Sequence, residues 1–124
     1  MRGFQSFSGK VVAGERIGRT LGFPTANIDV DAAALGLEKG VYAADIRMEG
    51  RPETYRAMLN IGQRPTFAGK VCTIEAHLLD FSGDLYGQTL HVTLRRKLRE
   101  ERRFVDVAAL KAQLAEDAAQ AARD

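Results

Sequence analysis

The chain contains 124 residues, of which 45% are hydrophobic and 27% are charged, with a net charge of +2. This length and composition are typical of one globular domain with a single core, and so small a charge does not by itself indicate a nucleic-acid partner. One cysteine, Cys72, excludes an internal disulfide. No apolar run is long enough to cross a bilayer or to act as a secretory signal. The sequence therefore predicts a single cytoplasmic domain over residues 1–124, with no membrane partner.

Short β-rich segments, separated by glycine and proline, occupy most of the chain. They are SGKVVA at 8–13, GVYAADIRM at 40–48, RAMLNI at 56–61, VCTIEAHLL at 71–79 and QTLHVTL at 88–94. Glu49-Gly50 is a turn signal, and SGD at 82–84 predicts a hairpin between the last two segments. This pattern predicts an antiparallel barrel or sandwich. No long helices alternate with the strands, so a doubly wound α/β fold is not predicted.

The C-terminal segment has the periodicity of a helix. Apolar residues recur at steps of three and four, at Val107, Leu110, Leu114, Ala118 and Ala121. Asp106 is a suitable N-cap, which predicts a helix over about 106–122 packed against a barrel over about 8–97. The polar face of this helix is predicted to carry Lys111, Glu116, Asp117 and Gln120.

The stretch GRTLGFPTANI at 18–28 combines loop residues with polar side chains. It matches neither the P-loop pattern nor the dinucleotide-binding pattern. Glycines at 14, 18 and 22 would let a bulky anion approach the backbone. If residues 24–28 are extended, Thr25 and Asn27 point to the same side and present the hard oxygens that Mg²⁺ prefers. A turn in which Thr25 and Asn27 cap their own backbone explains the residues equally well.

Strand parity divides segment 71–79 into two faces. Cys72 shares a face with apolar residues, which predicts a small core residue rather than a reactive thiol. Glu75 and His77 share the more polar face, where the simplest interpretation is a solvated surface. Glu75 and His77 would supply only two metal ligands, which is too few for a metal site. The other histidine, His91, lies in a different segment.

A resemblance to a known family changes the interpretation of these residues. GRTLGFPTANI resembles the signature of riboflavin kinases, whose PTAN element is the most distinctive motif of the family. Further blocks resemble the family in the same order, namely GKVVAG at 9–14, GVYAA at 40–44, NIGQRPTF at 60–67, IEAHLLDF at 74–81, DLYG at 84–87 and LREERRF at 98–104. The resemblance covers nearly the whole chain. It implies a six-stranded antiparallel Greek-key barrel with a C-terminal helix.

The resemblance also implies a reaction and a set of site residues. The γ-phosphoryl group of ATP would pass to the 5′-hydroxyl of riboflavin, giving FMN and ADP. Thr25 and Asn27 would hold Mg²⁺ and the nucleotide phosphates, and Glu75 would accept the hydroxyl proton. A glycine-rich flap from Gly14 to Gly22, with Arg19 inside it, would cover the phosphates, and Tyr86 would lie against the nucleotide. The flavin would contact Arg99, Arg102 and Phe104.

Two other functions remain as alternatives. A nucleic-acid-binding barrel would use the segment RRKLREERR at 95–103, which holds six basic residues. Two glutamates interrupt that run and few aromatic residues are present, so no nucleic-acid partner is predicted. The second alternative is a flavin-binding module without catalysis. Such a module would need neither Glu75 nor the Thr25 and Asn27 pair, so the presence of these residues argues against it.

The opening MRGFQSF departs from the GRPY-like start of the kinase half in bacterial bifunctional members of the family. The chain is therefore either a standalone kinase, expected to be a monomer, or a module that works with an FMN adenylyltransferase in cis or in trans.

Overall fold

The computed structural model describes residues 5–12, 26–30, 35–66, 69–81, 85–100 and 105–123. Six strands and one helix are found in these ranges, in the order β1 Ser6–Val12, β2 Ala26–Asp29, β3 Gly40–Met48, β4 Thr54–Thr66, β5 Gly69–Leu78, β6 Thr89–Arg99 and α1 Val107–Ala122. Every strand pair is antiparallel, and the sheet closes into a barrel with the order β1-β2-β5-β4-β3-β6. The antiparallel barrel and the C-terminal helix are confirmed.

The connection between β5 and β6 differs from the sequence prediction. Strand β5 lies between β2 and β4, whereas β6 lies between β1 and β3, so the predicted hairpin between 71–79 and 88–94 is wrong. Residues 82–84 themselves lie outside the described part of the chain. Turn residues indicate that the chain reverses, but they do not specify which strand it pairs with next. Here β6 returns beside β3 after the run β3-β4-β5, which is the Greek-key arrangement.

The predicted turn between β3 and β4 is confirmed. Gly50 has a φ of 82°, in the left-handed region that glycine adopts at little cost. The backbone N–H of Arg51 donates to the carbonyl of Met48 at 3.1 Å. This reversal places β3 and β4 side by side from Gly40 opposite Ile61 to Arg47 opposite Thr54.

The barrel interior is filled by alternate residues of all six strands. The largest fully buried interior side chains are Ile46, Met48, Leu59, Ile61, Ile74, Leu90 and Val92. Cys72 is partly buried and packs against this core, as strand parity predicted. Because strand side chains alternate, the neighbours of these residues on the same strands point out of the barrel. The functional candidates on β2 and β5 therefore lie on the outer surface.

Helix α1 covers part of that outer surface. Its residues Ala118 and Ala121 pack with side chains of four strand or turn positions, Ala43, Met58, Leu79 and Leu98. Asp106 caps its start by accepting a hydrogen bond from the backbone N–H of Ala109 at 2.8 Å. At its end, Arg56 donates to the carbonyl of Ala121 at 2.7 Å and Arg96 donates to that of Gln120 at 3.1 Å. Cations at this end also oppose the negative end of the helix dipole.

Two helix residues depart from the predicted amphipathic pattern. Val107, assigned to the apolar stripe, is 64% exposed, whereas Asp117, assigned to the polar face, is only 2% exposed. The prediction of an exposed Asp117 is wrong because periodicity along the helix does not reveal that Arg99 on β6 pairs with this carboxylate. In the described part of the chain, no helix has the length and hydropathy needed to cross a membrane.

Candidate functional site

Strand register brings two of the predicted site residues together. Asn27 on β2 lies directly opposite Glu75 on β5, and Glu75 lies opposite Asn60 on β4. The same line continues to Val41 on β3 and then to Arg99 on β6. We call this line of five residues the outer row. Directly opposed partners have Cβ atoms about 4.5–5.5 Å apart, so their side chains can contact one ligand.

Three neighbouring members of the outer row carry side-chain oxygen atoms. Asn27, Glu75 and Asn60 are each partly buried. Amide and carboxylate oxygens are the hard ligands that Mg²⁺ prefers, so this donor set fits the cation that the family resemblance implies. Within the described part of the chain, no group of three or more His, Cys, Asp or Glu side chains is arranged so that it could hold a metal ion. A cation here would therefore depend on amide oxygens and on the ligand's own oxygens.

Asn60 carries an unsatisfied atom. Its Oδ1 is buried and has no hydrogen-bond partner among the described residues. A buried acceptor without a donor costs about 1–3 kcal/mol, so folded proteins seldom retain one without a reason. Sequence reasoning assigned no role to Asn60. The available signals were its place in the NIGQRPTF block and its outward parity on β4, but the register that sets it beside Glu75 is visible only in the fold.

Two irregularities in β6 set the position of Arg99. Ala44 pairs with Leu94 but Ala43 pairs with Arg96, so Arg95 is an extra residue in β6. The same shift recurs further along the strand, where Tyr42 pairs with Lys97 and Val41 pairs with Arg99. Bulges of this kind bend a strand and redirect its side chains, and they are frequent beside active sites. They bring Arg99 to the end of the outer row.

The guanidinium of Arg99 is engaged by helix α1. It donates from Nε to Oδ1 of Asp117 at 3.0 Å and from Nη2 to Oδ2 at 2.8 Å. Gln113 also donates to Oδ1 of Asp117, at 2.9 Å. The side chain of Asp117 is 3% exposed and that of Arg99 is 18% exposed. This nearly dry, bidentate pair fixes the end of β6 to the helix.

Removing the carboxylate of Asp117 is expected to destabilise the fold. In Asp117→Ala the guanidinium of Arg99 loses the bidentate Asp117 carboxylate in a mostly buried setting, so the free energy of unfolding should fall by about 3–5 kcal/mol. Urea unfolding measures this change. The matched control is Glu116→Ala, because Glu116 is the exposed neighbouring acid and should change stability by no more than about 0.5 kcal/mol. Equal stability of the two variants would contradict a structural role for the pair.

Tyr86 lies at the end of the barrel where β1 finishes. The N–H of Gly87 donates to the carbonyl of Val11 at 3.0 Å, and the N–H of Val11 donates to the carbonyl of Gln88 at 2.8 Å. Val12, the next residue, is opposite Asn27. Tyr86 is therefore placed one strand away from Asn27, and the residue is 64% exposed.

The remaining predicted site residues fall outside the described ranges. These are Gly14, Arg19, Gly22, Thr25, Arg102 and Phe104. Their assignments stay predictions. His77, which shares a face with Glu75, is 7% exposed and lies opposite Met58 beside the helix-covered cluster. The expectation of a solvated face is therefore wrong at His77.

The basic side chains at the start of the segment 95–103 contact acids or carbonyl groups. The contacts run from Arg95 to Asp45, from Arg96 to the carbonyl of Gln120, from Lys97 to Glu38 and Glu100, and from Arg99 to Asp117. Hydrogen bonds from Lys97 to Glu100 and Glu38 raise the pKa of its ammonium group. Burial raises the pKa of the neighbouring Tyr42 hydroxyl. Charges engaged in this way offer less to a phosphate backbone than a free basic surface does.

Comparison with known proteins shows which family the chain matches. A family model described as "Flavokinase: Riboflavin kinase" matches residues 3–124. The chain is 46% identical over 112 residues to the bifunctional riboflavin kinase/FMN adenylyltransferase of Escherichia coli (strain K12), covering 90% of this chain and 35% of that protein. It is 40% identical over 111 residues to the RNA-binding riboflavin kinase RibR of Bacillus subtilis (strain 168), covering 89% of this chain and 46% of that protein. The chain thus spans less than half the length of either relative.

A solved structure supports the fold. The crystal structure of a protein described as a macrolide-efflux protein from Streptococcus pneumoniae superimposes with a TM-score of 0.83 and 32% sequence identity, covering 96% of this chain and 38% of that chain. The barrel and helix described above are therefore a domain architecture that also occurs within longer proteins.

Proposed function

The chain belongs to the riboflavin kinase (flavokinase) family, and we propose that it transfers the γ-phosphoryl group of ATP to the 5′-hydroxyl of riboflavin. The products are FMN and ADP. The observation that carries the proposal is the outer row, in which Asn27 and Glu75 are direct cross-strand partners. A base for the alcohol and a ligand for the phosphates must lie this close together, because phosphoryl transfer depends mainly on positioning and charge neutralisation.

Glu75 is proposed as the general base. The 5′-hydroxyl donates its proton to the Glu75 carboxylate while the hydroxyl oxygen bonds to the γ-phosphorus. The bond from that phosphorus to the β,γ-bridging oxygen breaks, and ADP leaves with the electron pair. Glu75 is partly buried on the outer face, so a substrate can reach it while water access is reduced. A positioned base of this kind typically contributes about 10²–10⁴-fold.

Asn27, together with Thr25, would hold Mg²⁺, which when bound neutralises charge on the phosphate oxygens. The backbone from Gly14 to Gly22 and the guanidinium of Arg19 would contact the same phosphates. Tyr86 would lie against the nucleotide, which its exposure and its place near the end of β1 support.

The flavin is proposed to contact the segment that follows β6, with Arg99, Arg102 and Phe104 as its main residues. An aromatic side chain such as Phe104 gives the isoalloxazine ring a flat apolar surface. Because Asp117 already binds the Arg99 guanidinium, Arg99 would act mainly by fixing the start of this segment. Its own contact with the flavin would then be made through the side-chain stem.

Incubation of the purified chain with riboflavin, ATP and Mg²⁺ tests the proposal. Chromatography should show FMN and ADP forming in equal amounts. Riboflavin bound without FMN formation would favour the flavin-binding module instead. If the chain forms no FMN and binds no riboflavin, and its affinity for RNA falls steeply as salt is added, the nucleic-acid alternative is favoured. We also propose that the chain is a cytoplasmic monomer. It would work with an FMN adenylyltransferase module in cis or in trans.

A further inference from the structure

Asn60 stands next to the proposed base, on the side away from the proposed phosphate ligand. The order along the outer row is Asn27, Glu75, Asn60. Beyond Asn60 the row continues with Val41, which is apolar and 6% exposed. Asn60 is therefore the last neutral polar side chain before the row becomes apolar, and it is a direct cross-strand neighbour of Glu75.

The unsatisfied Oδ1 of Asn60 requires a donor. This oxygen is buried and has no hydrogen-bond partner in the described part of the chain. An amide oxygen accepts hydrogen bonds, and so does an ionised carboxylate, so Asn60 Oδ1 and Glu75 cannot satisfy each other directly. The oxygen is buried although Asn60 as a whole is only partly buried, so a ligand hydroxyl would satisfy it once the amide turns about χ2, a torsion with broad preferences. The chemistry of the position thus favours an alcohol over a phosphate, whose oxygens are acceptors.

The order of the row agrees with the geometry of the reaction. In phosphoryl transfer the attacking and leaving oxygens are roughly in line, on opposite sides of the phosphorus. With the nucleotide phosphates on the Asn27 side of Glu75, the alcohol approaches from the other side. Asn60 occupies that side.

Resting on the proposed function, we propose that Asn60 is a substrate-positioning residue whose Oδ1 accepts a hydrogen bond from a hydroxyl of the polyhydroxy alcohol substrate. This contact holds the reacting hydroxyl against Glu75. The two substrates would then lie on opposite sides of Glu75, with the nucleotide at Asn27 and the alcohol at Asn60.

The variant Asn60→Leu, which keeps the approximate shape and removes the acceptor, tests the assignment. Riboflavin binding, followed by flavin fluorescence without ATP, is expected to weaken about tenfold, the usual range for one lost hydrogen bond. The KM for Mg-ATP should stay unchanged. The thermal midpoint should stay the same or rise, because the variant also removes a buried unsatisfied atom. Asn60→Asp, which keeps an oxygen at the same position, should retain more riboflavin affinity than Asn60→Leu.

The matched control is Thr93→Val on β6, where the hydroxyl contacts only the Ser6 side chain at 3.2 Å among the contacts described. It should leave riboflavin binding and kinetics unchanged. Riboflavin affinity in Asn60→Leu equal to that of the wild type would overturn the assignment of Asn60, as would an equal rise in both KM values. A wild-type chain that forms no FMN would instead overturn the proposed function. The binding titration would still decide whether Asn60 contacts the flavin substrate.

Discussion

Replacing Glu75 with glutamine is expected to lower kcat by about 10²–10⁴-fold, because the amide keeps the shape of the side chain but cannot accept the hydroxyl proton. Riboflavin and Mg-ATP affinities should change little, since the amide fills the same space in the outer row. Steady-state kinetics and a riboflavin titration measure both effects. The loss should appear equally in kcat and kcat/KM, as expected for an interaction made only in the transition state.

The matched control for this variant is Glu53→Gln, because Glu53 is an exposed glutamate ahead of β4 and lies outside the outer row. Its kinetics should match those of the wild type. Near-normal turnover in Glu75→Gln would rule out Glu75 as the base. A large loss of riboflavin affinity without a loss of kcat would make Glu75 a binding residue.

Replacing Asn27 with alanine is expected to raise the KM for Mg-ATP by at least about tenfold, a loss typical of weakened metal binding. Riboflavin affinity should change far less, because Asn27 lies on the far side of Glu75 from Asn60. A titration of activity against Mg²⁺ at fixed ATP should show the half-saturating concentration rising in the same variant. Asn27→Asp, which keeps an oxygen ligand and adds charge, should retain Mg²⁺ dependence close to that of the wild type.

The comparison of the two substrates decides the assignment of Asn27. Equal losses of riboflavin and Mg-ATP affinity would indicate a folding defect in β2, a four-residue strand that pairs with β1 on one side and with β5 on the other. Urea unfolding separates that case, because a defect limited to the site leaves the unfolding midpoint close to that of the wild type.

Much of the fold could be predicted because the signals are local. Alternation, turn residues and the Asp106 cap are set by neighbours in the chain, so the barrel class and the helix followed from the sequence. The prediction of a hairpin between β5 and β6 was wrong because strand pairing depends on how the whole sheet closes. Asp117 was assigned to solvent because its partner, Arg99, lies 18 residues away in sequence and on another element.

The site was only partly predictable for the same reason. Residue type and family resemblance point to Asn27 and Glu75, which lie 48 residues apart in the sequence. Their cross-strand pairing depends on register, which strand sequences alone do not fix. Asn60 was missed because an outward asparagine on a strand looks like a solvated residue. Its buried and unsatisfied oxygen became visible only when the neighbouring strands were in place.

The central claim is that the outer row faces both substrates, and amide chemical shifts test it most directly. Spectra of the ¹⁵N-labelled chain would be recorded with Mg-ADP, with riboflavin and with both. We expect the largest shifts around Asn27 with the nucleotide and around Asn60 with riboflavin, with Glu75 shifting in both. Little change is expected on the opposite wall, where Ser8 on β1 pairs with His91 on β6. Shifts concentrated at Ser8 and His91, with the outer row unchanged, would contradict the account.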